Sequence, residues 1–339
     1  MSRTTSARPH TGARPWRLTA VAGATLLGVL TGCSDSGGDG TDAQASVGRL
    51  EMMAPADPGG GWDSTARALA ASIEEAGLAG STQVTNVGGA GGTVGLAELA
   101  NERSEEFLMV MGLVMLGAIE TNQSQATLED TTPIARLTAE DEIVVVPADS
   151  PYQDVQDLVD DMQANGRSVS IAGGSAGGTD HILAGLIAQA GDVPIENLNY
   201  VAYSGGGESL AALLGSQVSA GISGVSEYAE QIEAGELRAL AVSGAERVEG
   251  IDAPTLTEAG LDVELSNWRG VVGPPDLSEE ARQNLIDLVD EAVQSEAWQE
   301  RLETNGWEDT YLSGDEFDAF LEEEQQRVLG VLQDIGLVE

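Results

Sequence analysis

Two glycine-rich turns, each lying between an apolar run and a helical pattern, constrain this chain more than any other feature. The first is Pro58-Gly59-Gly60-Gly61-Trp62-Asp63, and the second is the segment 172–181, AGGSAGGTDH. A glycine turn that opens a helix aims backbone N–H groups and the positive end of the helix dipole at one spot, which favours an anion. The pattern predicts that both turns face one cleft and bind a carboxylate.

The charge of the chain excludes several partners and chemistries. Acidic residues number 56 against 15 basic residues, for a net charge of −41, so we expect neither nucleic acid nor an anionic membrane surface as a partner. Every basic residue is arginine, and without lysine a P-loop NTPase or a pyridoxal-phosphate enzyme is excluded. The only histidines are His10 and His181, too few for a multi-histidine zinc site. We expect no metal, no cofactor and no catalytic residue.

The first 32 residues are typical of a secretory signal, because arginines precede an apolar run that is too short to span a membrane stably. The run ends in Leu30-Thr31-Gly32-Cys33, which resembles a bacterial lipobox. In such proteins the cysteine is lipidated, and one lipid-modified residue holds the protein at the membrane. The alternative is a simple signal peptide with an incidental cysteine. We expect an extracytoplasmic lipoprotein, anchored through Cys33 to the outer face of the cell membrane, with residues 33–47 as a flexible tether.

Strand and helix patterns alternate along the rest of the chain, which predicts an α/β fold with parallel sheets and helices on both faces. The pattern restarts near Ile143, and we predict two domains: 48–140 plus 246–339, and 141–245. Two crossing strands would join them, with a ligand cleft between them. Predicted strands are 50–54, 83–87, 107–111, 143–146, 169–172, 198–201, 218–222, 237–242 and 268–272, and the clearest predicted helices are 155–165, 179–190, 208–214 and 225–234.

Capping patterns predict where several helices begin. Asp63 or Ser64 could cap the helix after the first turn. Ser278 is followed by two glutamates, and Ser313-Gly314-Asp315-Glu316 matches a capping box. We expect two long C-terminal helices, without a sheet of their own, to cover the first domain.

The segment Gly173-Gly174-Ser175-Ala176-Gly177 also matches the nucleophile-elbow pattern G-x-S-x-G, which raises a serine hydrolase as an alternative. A catalytic triad needs a histidine opposite the serine. His181 lies six residues on, inside the following helix, and points along that helix. Ser175 is better explained as a hydroxyl donor to a carboxylate.

Seven segments occur in the order seen in one family: PGGGWDSTAR, NVGGAGGTVGLAELA, AGGSAGGTDHI, VAYSGGGES, GELRALAVSGAERV, APTLTEAGLDVE and NWRGVVGPP. Over residues 50–330 the chain resembles the substrate-binding proteins of tripartite tricarboxylate transporters, the Bug-type extracytoplasmic receptors. The resemblance implies a type II periplasmic-binding-protein fold, a small carboxylate ligand, and delivery to a permease with one large and one small membrane subunit. Ser204 stands where many relatives have lysine, and Asn86-Val87-Gly88 where they have Asn-Arg-Pro.

The residues and the resemblance together predict a ligand site made of glycine turns and neighbouring donors. For Asp63 we favour an organising role, paired with Arg67, over direct contact. His181 either fixes its loop or contacts ligand, and Arg269 is either a buried cation near ligand or part of a hinge salt bridge. We expect a monomer, and a ligand-presenting partner of a membrane sensor kinase remains an alternative function. The predicted ligand-binding residues are Pro58, Gly59, Gly60, Gly61, Trp62, Asp63, Gly91, Thr93, Gly174, Ser175, Gly177, Gly178, Thr179, His181, Tyr203, Ser204 and Gly205.

Overall fold

The computed structural model describes residues 47–203 and 205–339. The predicted signal segment, Cys33, nearly all of the predicted tether and the predicted ligand residue Ser204 therefore lie outside the described residues. Within the described part of the chain, no helix combines the length and apolar character needed to cross a membrane.

In the described part of the chain, ten strands form one mixed sheet whose main path runs β2-β1-β3-β9-β4-β7-β5-β6, while β8 and β10 also pair with β4. The strands are β1 (Leu50–Ala54), β2 (Thr82–Asn86), β3 (Phe107–Gly112), β4 (Thr132–Pro147), β5 (Ser170–Gly173), β6 (Asn199–Ala202), β7 (Ala220–Gly224), β8 (Leu237–Val242), β9 (Ser266–Gly273) and β10 (Glu308–Ser313).

The described residues also form ten α-helices, which cover this sheet. They are α1 (Gly61–Glu75), α2 (Thr93–Leu99), α3 (Leu113–Thr121), α4 (Val155–Asn165), α5 (Thr179–Ala190), α6 (Gly206–Leu214), α7 (Val225–Glu233), α8 (Glu279–Val293), α9 (Glu296–Asn305) and α10 (Gly314–Asp334). The α/β class is confirmed, and so are the predicted strand 237–242 and helices 155–165 and 179–190.

The 16-residue strand β4 carries the chain through two groups of strands, which we call lobe one and lobe two. In lobe one, its first part pairs with β9 and β10, beyond which lie β3, β1 and β2. In lobe two, its last part pairs with β7 and β8, beyond which lie β5 and β6. The chain returns to lobe one between β8 and β9. The predicted domain boundaries, 48–140 plus 246–339 and 141–245, stay a prediction.

The prediction of purely parallel sheets is wrong. Strands β1, β2 and β3 are parallel, as are β5, β6 and β7, but β9 runs antiparallel to both β3 and β4, and β4 is antiparallel to β7. Strands β4 and β9 therefore lie side by side in the middle of the sheet and run in opposite directions. This arrangement places the carboxyl ends of β1 and β5, and the glycine turns that follow them, at the junction of the lobes.

The hydrophobic core follows the alternation of side chains along the strands. In β4, Val144 and Val146 belong to the main core cluster, whereas Ile143 and Val145 pack in a second cluster with Leu213 and Tyr228. All the β4 residues of these two clusters are fully buried. Both faces of the sheet in lobe two are thus covered by helices.

Among the described residues three helices, rather than two, follow β9, and the strand β10 between the last two, which was not predicted, pairs with β4 in the common sheet. Helices α8 and α9 pack against α1, and α10 packs against α3 and β4. Ser278 caps α8 as predicted, with its hydroxyl accepting from the Ala281 N–H. The capping box at Ser313 is wrong, because this side chain makes no cap hydrogen bond at the start of α10.

Candidate functional site

The first glycine turn connects β1 to α1 and is shaped by the carboxylate of Asp63. Gly59 adopts a positive φ of 91°, which glycine reaches without strain. The helix begins at Gly61 with Gly60 as its N-cap residue, so the prediction that Asp63 or Ser64 caps it is wrong. Asp63 instead lies in the first helical turn, where its Oδ2 accepts from the Gly59 N–H at 2.9 Å.

Asp63 is buried behind the turn and has three partners. Arg67 Nε donates to its Oδ2 at 3.0 Å, and Asn86 Nδ2 donates to its Oδ1 at 2.9 Å. Burial by itself raises the pKa of Asp63, but the hydrogen bonds from Arg67, Asn86 and the Gly59 N–H outweigh it and hold the pKa below its usual value. The ionised carboxylate therefore fixes the turn, which is the organising geometry that the sequence favoured.

The second glycine turn connects β5 to α5 and is held in a comparable way. Asp180, in the first turn of α5, accepts from the Gly174 N–H through Oδ2 at 2.5 Å. The Tyr200 hydroxyl donates to the Gly174 carbonyl oxygen at 2.9 Å. Burial raises the pKa of Asp180 to about 7. An acid in the first helical turn thus shapes both glycine turns, although only Asp63 has an arginine partner.

His181 also supports the second turn. Its Nδ1 accepts from the Gly177 N–H at 3.2 Å, and its ring stacks on Tyr200 with centroids 4.0 Å apart. Burial lowers the pKa of His181 to about 4, so the imidazole is neutral at neutral pH. This geometry matches the loop-fixing alternative rather than direct ligand contact. Within residues 47–203 and 205–339, no hydrogen bond joins His181, the histidine of that part, to Ser175, and a catalytic triad requires such a contact.

The second glycine turn, which belongs to lobe two, packs directly on helix α3 of lobe one. A Cβ atom at Gly117 would overlap the carbonyl oxygen of Gly177, and one at Gly177 would lie 2.5 Å from Thr121 Cγ2. Close backbone approach at these two glycines therefore brings the two lobes together beside the turn. The neighbouring Gly91, at a φ of 61°, has Ala118 equally close to the position of its absent Cβ, at 2.5 Å.

One cavity of about 420 Å³ lies where the turns meet. Ten predicted ligand residues line it: Gly60, Gly61, Trp62, Gly91, Gly174, Ser175, Gly178, Thr179, Tyr203 and Gly205. Six others do not: Pro58, Gly59, Asp63, Thr93, Gly177 and His181. Thr93, for example, donates through Oγ1 to the Ala90 carbonyl oxygen at 3.0 Å and so fastens its own turn.

The cavity wall also includes Arg269 on β9, which the sequence raised as a candidate, and three residues that the sequence reasoning missed: Glu140 on β4, Glu227 on α7 and Asn267 on β9. Arg269 is only 4% exposed, and its Nη2 donates to Glu140 Oε1 at 2.5 Å. The two alternatives for Arg269 are therefore compatible, since the side chain faces the cavity and forms a buried ion pair between neighbouring strands.

Comparisons with known proteins agree with this architecture. A family model described as "Tripartite tricarboxylate transporter family receptor" matches residues 65–337. Protein BugT of Bordetella pertussis is 27% identical over 298 residues, which cover 85% of this chain and 89% of BugT.

Solved structures share the fold. The periplasmic binding protein BugD superposes with a TM-score of 0.76 at 22% identity, covering 86% of this chain and 98% of BugD. MatC from Rhodopseudomonas palustris, solved with bound malate, gives 0.72 at 22% identity, covering 84% and 99%. Another R. palustris protein, solved with adipate, gives 0.76 at 23% identity, covering 85% and 97%. The predicted type II periplasmic-binding-protein fold with two α/β domains is confirmed.

Replacing Gly117 with alanine should destabilise the protein. The new methyl group would overlap a backbone oxygen of Gly177 that cannot rotate away, so the turn or helix α3 must shift. We expect a loss of about 1–3 kcal/mol in the free energy of unfolding, measured with urea. Gly330→Ala is the matched control: its helical Cβ would meet open space, and it should stabilise by about 0.5–1 kcal/mol. Equal effects of the two substitutions would contradict the packing described.

The free energy of unfolding of the Asp180→Asn variant should rise relative to that of the wild type as pH increases from about 4 to about 8. Burial raises the pKa of Asp180 from 3.8 to about 7 in the folded protein. Below pH 3.8 the Asp180 side chain is largely neutral in both the folded and the unfolded protein. Above pH 7 it is ionised in both, but only the folded protein has to bury the charge. The wild type thus loses stability across this window, and asparagine does not ionise.

Urea unfolding of both proteins over a pH series measures this difference. The exposed Asp160→Asn substitution is the control and should keep the wild-type slope. A stability difference between Asp180→Asn and wild type that stays constant with pH would show that Asp180 ionises normally.

Proposed function

This chain belongs to the tripartite tricarboxylate transporter receptor family, and on that premise we propose that it captures a small carboxylate outside the cytoplasm and delivers it to a tripartite permease. One observation carries the proposal. The N-termini of α1 and α5, one from each lobe, open on the same cavity through the glycines that precede them. Two helix N-termini that converge on one space are suited to an anionic group.

The donors that would hold the carboxylate are mostly backbone amides. Gly60 and Gly61 offer theirs from lobe one, and Thr179 offers its own from lobe two, whereas the Gly178 N–H already donates to the Ser175 carbonyl oxygen at 2.9 Å. Ser175 adds a hydroxyl at the cavity wall. Hydrogen bonds from neutral donors to an ionised acceptor are charge-assisted and stronger than bonds between neutral groups. The site thus binds an anion without an unpaired cation of its own.

Two predicted residues that do not line the cavity hold the glycine turns in shape. Asp63 and His181 each accept from a backbone N–H of a glycine turn, at Gly59 and Gly177. Because donors come from both lobes, a ligand that binds them favours the arrangement in which the lobes are close together. We propose that this closed form is the one presented to the large and small permease subunits. The solved relatives with malate and adipate support a small organic acid as the ligand.

A thermal-unfolding screen of the residues 48–339 against succinate, malate, adipate and citrate tests this function. A ligand at a hundred times its Kd should stabilise the folded protein by about 2.7 kcal/mol. Gly60→Leu should abolish the effect, because Gly60 lines the cavity and a Cβ there would meet only the Asp57 carbonyl oxygen, at 3.8 Å. The added side chain therefore fills ligand space without displacing protein atoms.

Gly207→Leu is the matched control, since Gly207 is exposed, lies outside the cavity wall and has open space around it. It should leave the ligand effect unchanged. Stabilisation that survives Gly60→Leu would refute carboxylate capture at this cavity, and so would the absence of stabilisation by these acids and by amine-bearing acids alike.

We further propose that lipidation of Cys33 anchors the protein to the outer face of the membrane, with the segment 33–47 as a tether. The support is the lipobox-like sequence and the single cysteine of the chain. In cells, Cys33→Ser should move the protein from the membrane fraction to the soluble extracytoplasmic fraction. The same fractionation of Ser34→Ala is the control and should remain membrane-bound. A Cys33→Ser protein that stays with the membrane would disprove this anchor.

A further inference from the structure

The cavity wall is unusually acidic for a site that accepts an anion. Among the described residues that line it, Asp57, Glu140, Asp180 and Glu227 are acids, and Arg269 alone is a cation. Arg269 is already paired with Glu140. Ser226 Oγ and Trp307 Nε1 donate to the other oxygen of Glu140, at 2.9 and 3.1 Å. The charges of Asp180 and Glu227 therefore have no arginine within salt-bridge distance in the described structure.

A fifth acid, Glu142, lies directly behind this wall. It follows Glu140 by two positions on β4, so both side chains lie on the same face of the strand. Glu142 is fully buried, and its Oε1 accepts from Nδ2 of the cavity residue Asn267 at 2.8 Å. Its Oε2 has no hydrogen-bond partner among the described residues. An ionised Glu142 is therefore strongly unfavourable at this position unless a donor or a cation reaches it.

The backbone makes room for these acids instead of covering them. A Cβ atom at Gly206 would overlap Glu227 Oε2, and one at Gly224 would overlap Glu140 Oε1. Both glycines line the cavity. A side chain at either glycine would displace a carboxylate. The glycines therefore allow the two acids to lie at the cavity wall, where a ligand can reach them.

Burial and mutual repulsion act together on this cluster. Burial, followed by the charges of Asp180, Glu140 and Glu227, raises the pKa of Glu142. Burial likewise raises the pKa of Glu227, against a hydrogen bond from Ser223. A positive group placed among these acids would remove the repulsion. The described residues form no cluster suited to a metal ion, so an organic cation is the better match.

We propose that the ligand is amphoteric: a small acid whose carboxylate binds at the glycine turns and whose positively charged nitrogen lies against Glu227 and Asp180, in front of Glu142. The inference rests on the proposed function, because it assigns the second half of the same cavity. A dicarboxylate would bring a second negative charge to these acids. An amine brings a charge of the opposite sign and hydrogen-bond donors for the oxygens that lack them.

Calorimetric titration with matched pairs of acids that differ only by an amine tests this inference. The pairs are succinate and aspartate, glutarate and glutamate, and butyrate and γ-aminobutyrate. In at least one pair the amine-bearing acid should bind at least about tenfold more tightly, the equivalent of ~1.4 kcal/mol. Glu227→Gln removes one negative charge and should cut this preference to about threefold or less. Glu230→Gln, an exposed position on the same helix, should retain it.

The outcomes separate this inference from the proposed function. If no acid binds, amine-bearing or amine-free, the proposed function itself fails. If acids bind but no amine-bearing member is preferred, or if the preference survives both Glu227→Gln and Asp180→Asn, the amphoteric ligand is refuted and carboxylate capture stands. The second variant, whose amide can still accept from the Gly174 N–H, keeps the test valid if Glu227→Gln fails to fold.

Discussion

The buried ion pair of Arg269 with Glu140 is the interaction on which the centre of the molecule depends. It connects β9 to β4, the antiparallel pair at the middle of the sheet, and Glu140 also accepts from Ser226 of lobe two and from Trp307 in the C-terminal region. One carboxylate therefore ties together elements that are far apart in sequence. Burying two charges has a large desolvation cost, and losing either partner would leave the other uncompensated. The pair explains why a strand with three consecutive acids can cross the junction of the lobes.

The glycine turns also depend on buried acids whose oxygens are satisfied by nearby donors. In each, an acid in the first turn of a helix accepts from a glycine N–H and so bends the chain back before the helix begins. The glycines that precede the two helices line the cavity, where the positive end of each helix dipole adds to the potential. The binding surface is therefore backbone held in shape by buried side chains. Substitutions behind the turns would change binding without any loss of ligand contact.

Much of the fold was accessible from the sequence, and the physical reason is local periodicity. The helix 155–165 and the strand 237–242 have patterns that need no distant partner to be recognised, and their observed bounds agree with prediction. The first part of β4 was missed because Glu140, Asp141 and Glu142 interrupt its apolar pattern. Glu140 is paired with Arg269, and Glu142 accepts from Asn267, each more than a hundred residues later in the chain.

The same distinction holds for the site. The turns were predicted because glycine spacing is a local signal, whereas the acidic wall is assembled from β4, α7 and β9 and exists only after folding. Strand β10, with its partly exposed and polar sequence, gave no apolar alternation to detect. Ser313 shows the converse, since the capping pattern was present but β10 runs into α10 without a side-chain cap.

The chain combines a net charge of −41 with a cavity that accepts an anion, and these two properties act over different distances. The field of the whole protein is screened by salt within about 10 Å at ordinary ionic strength, whereas amide donors act at contact. An anion that reaches the turns is therefore bound by local dipoles despite the surrounding charge. Inside the cavity no such screening protects it from Asp180 and Glu227, so the sign of the ligand's second group matters most there. The positive nitrogen of the proposed ligand would resolve the conflict between donors on one wall and acids on the other, because each end of the ligand would then meet groups of the opposite sign.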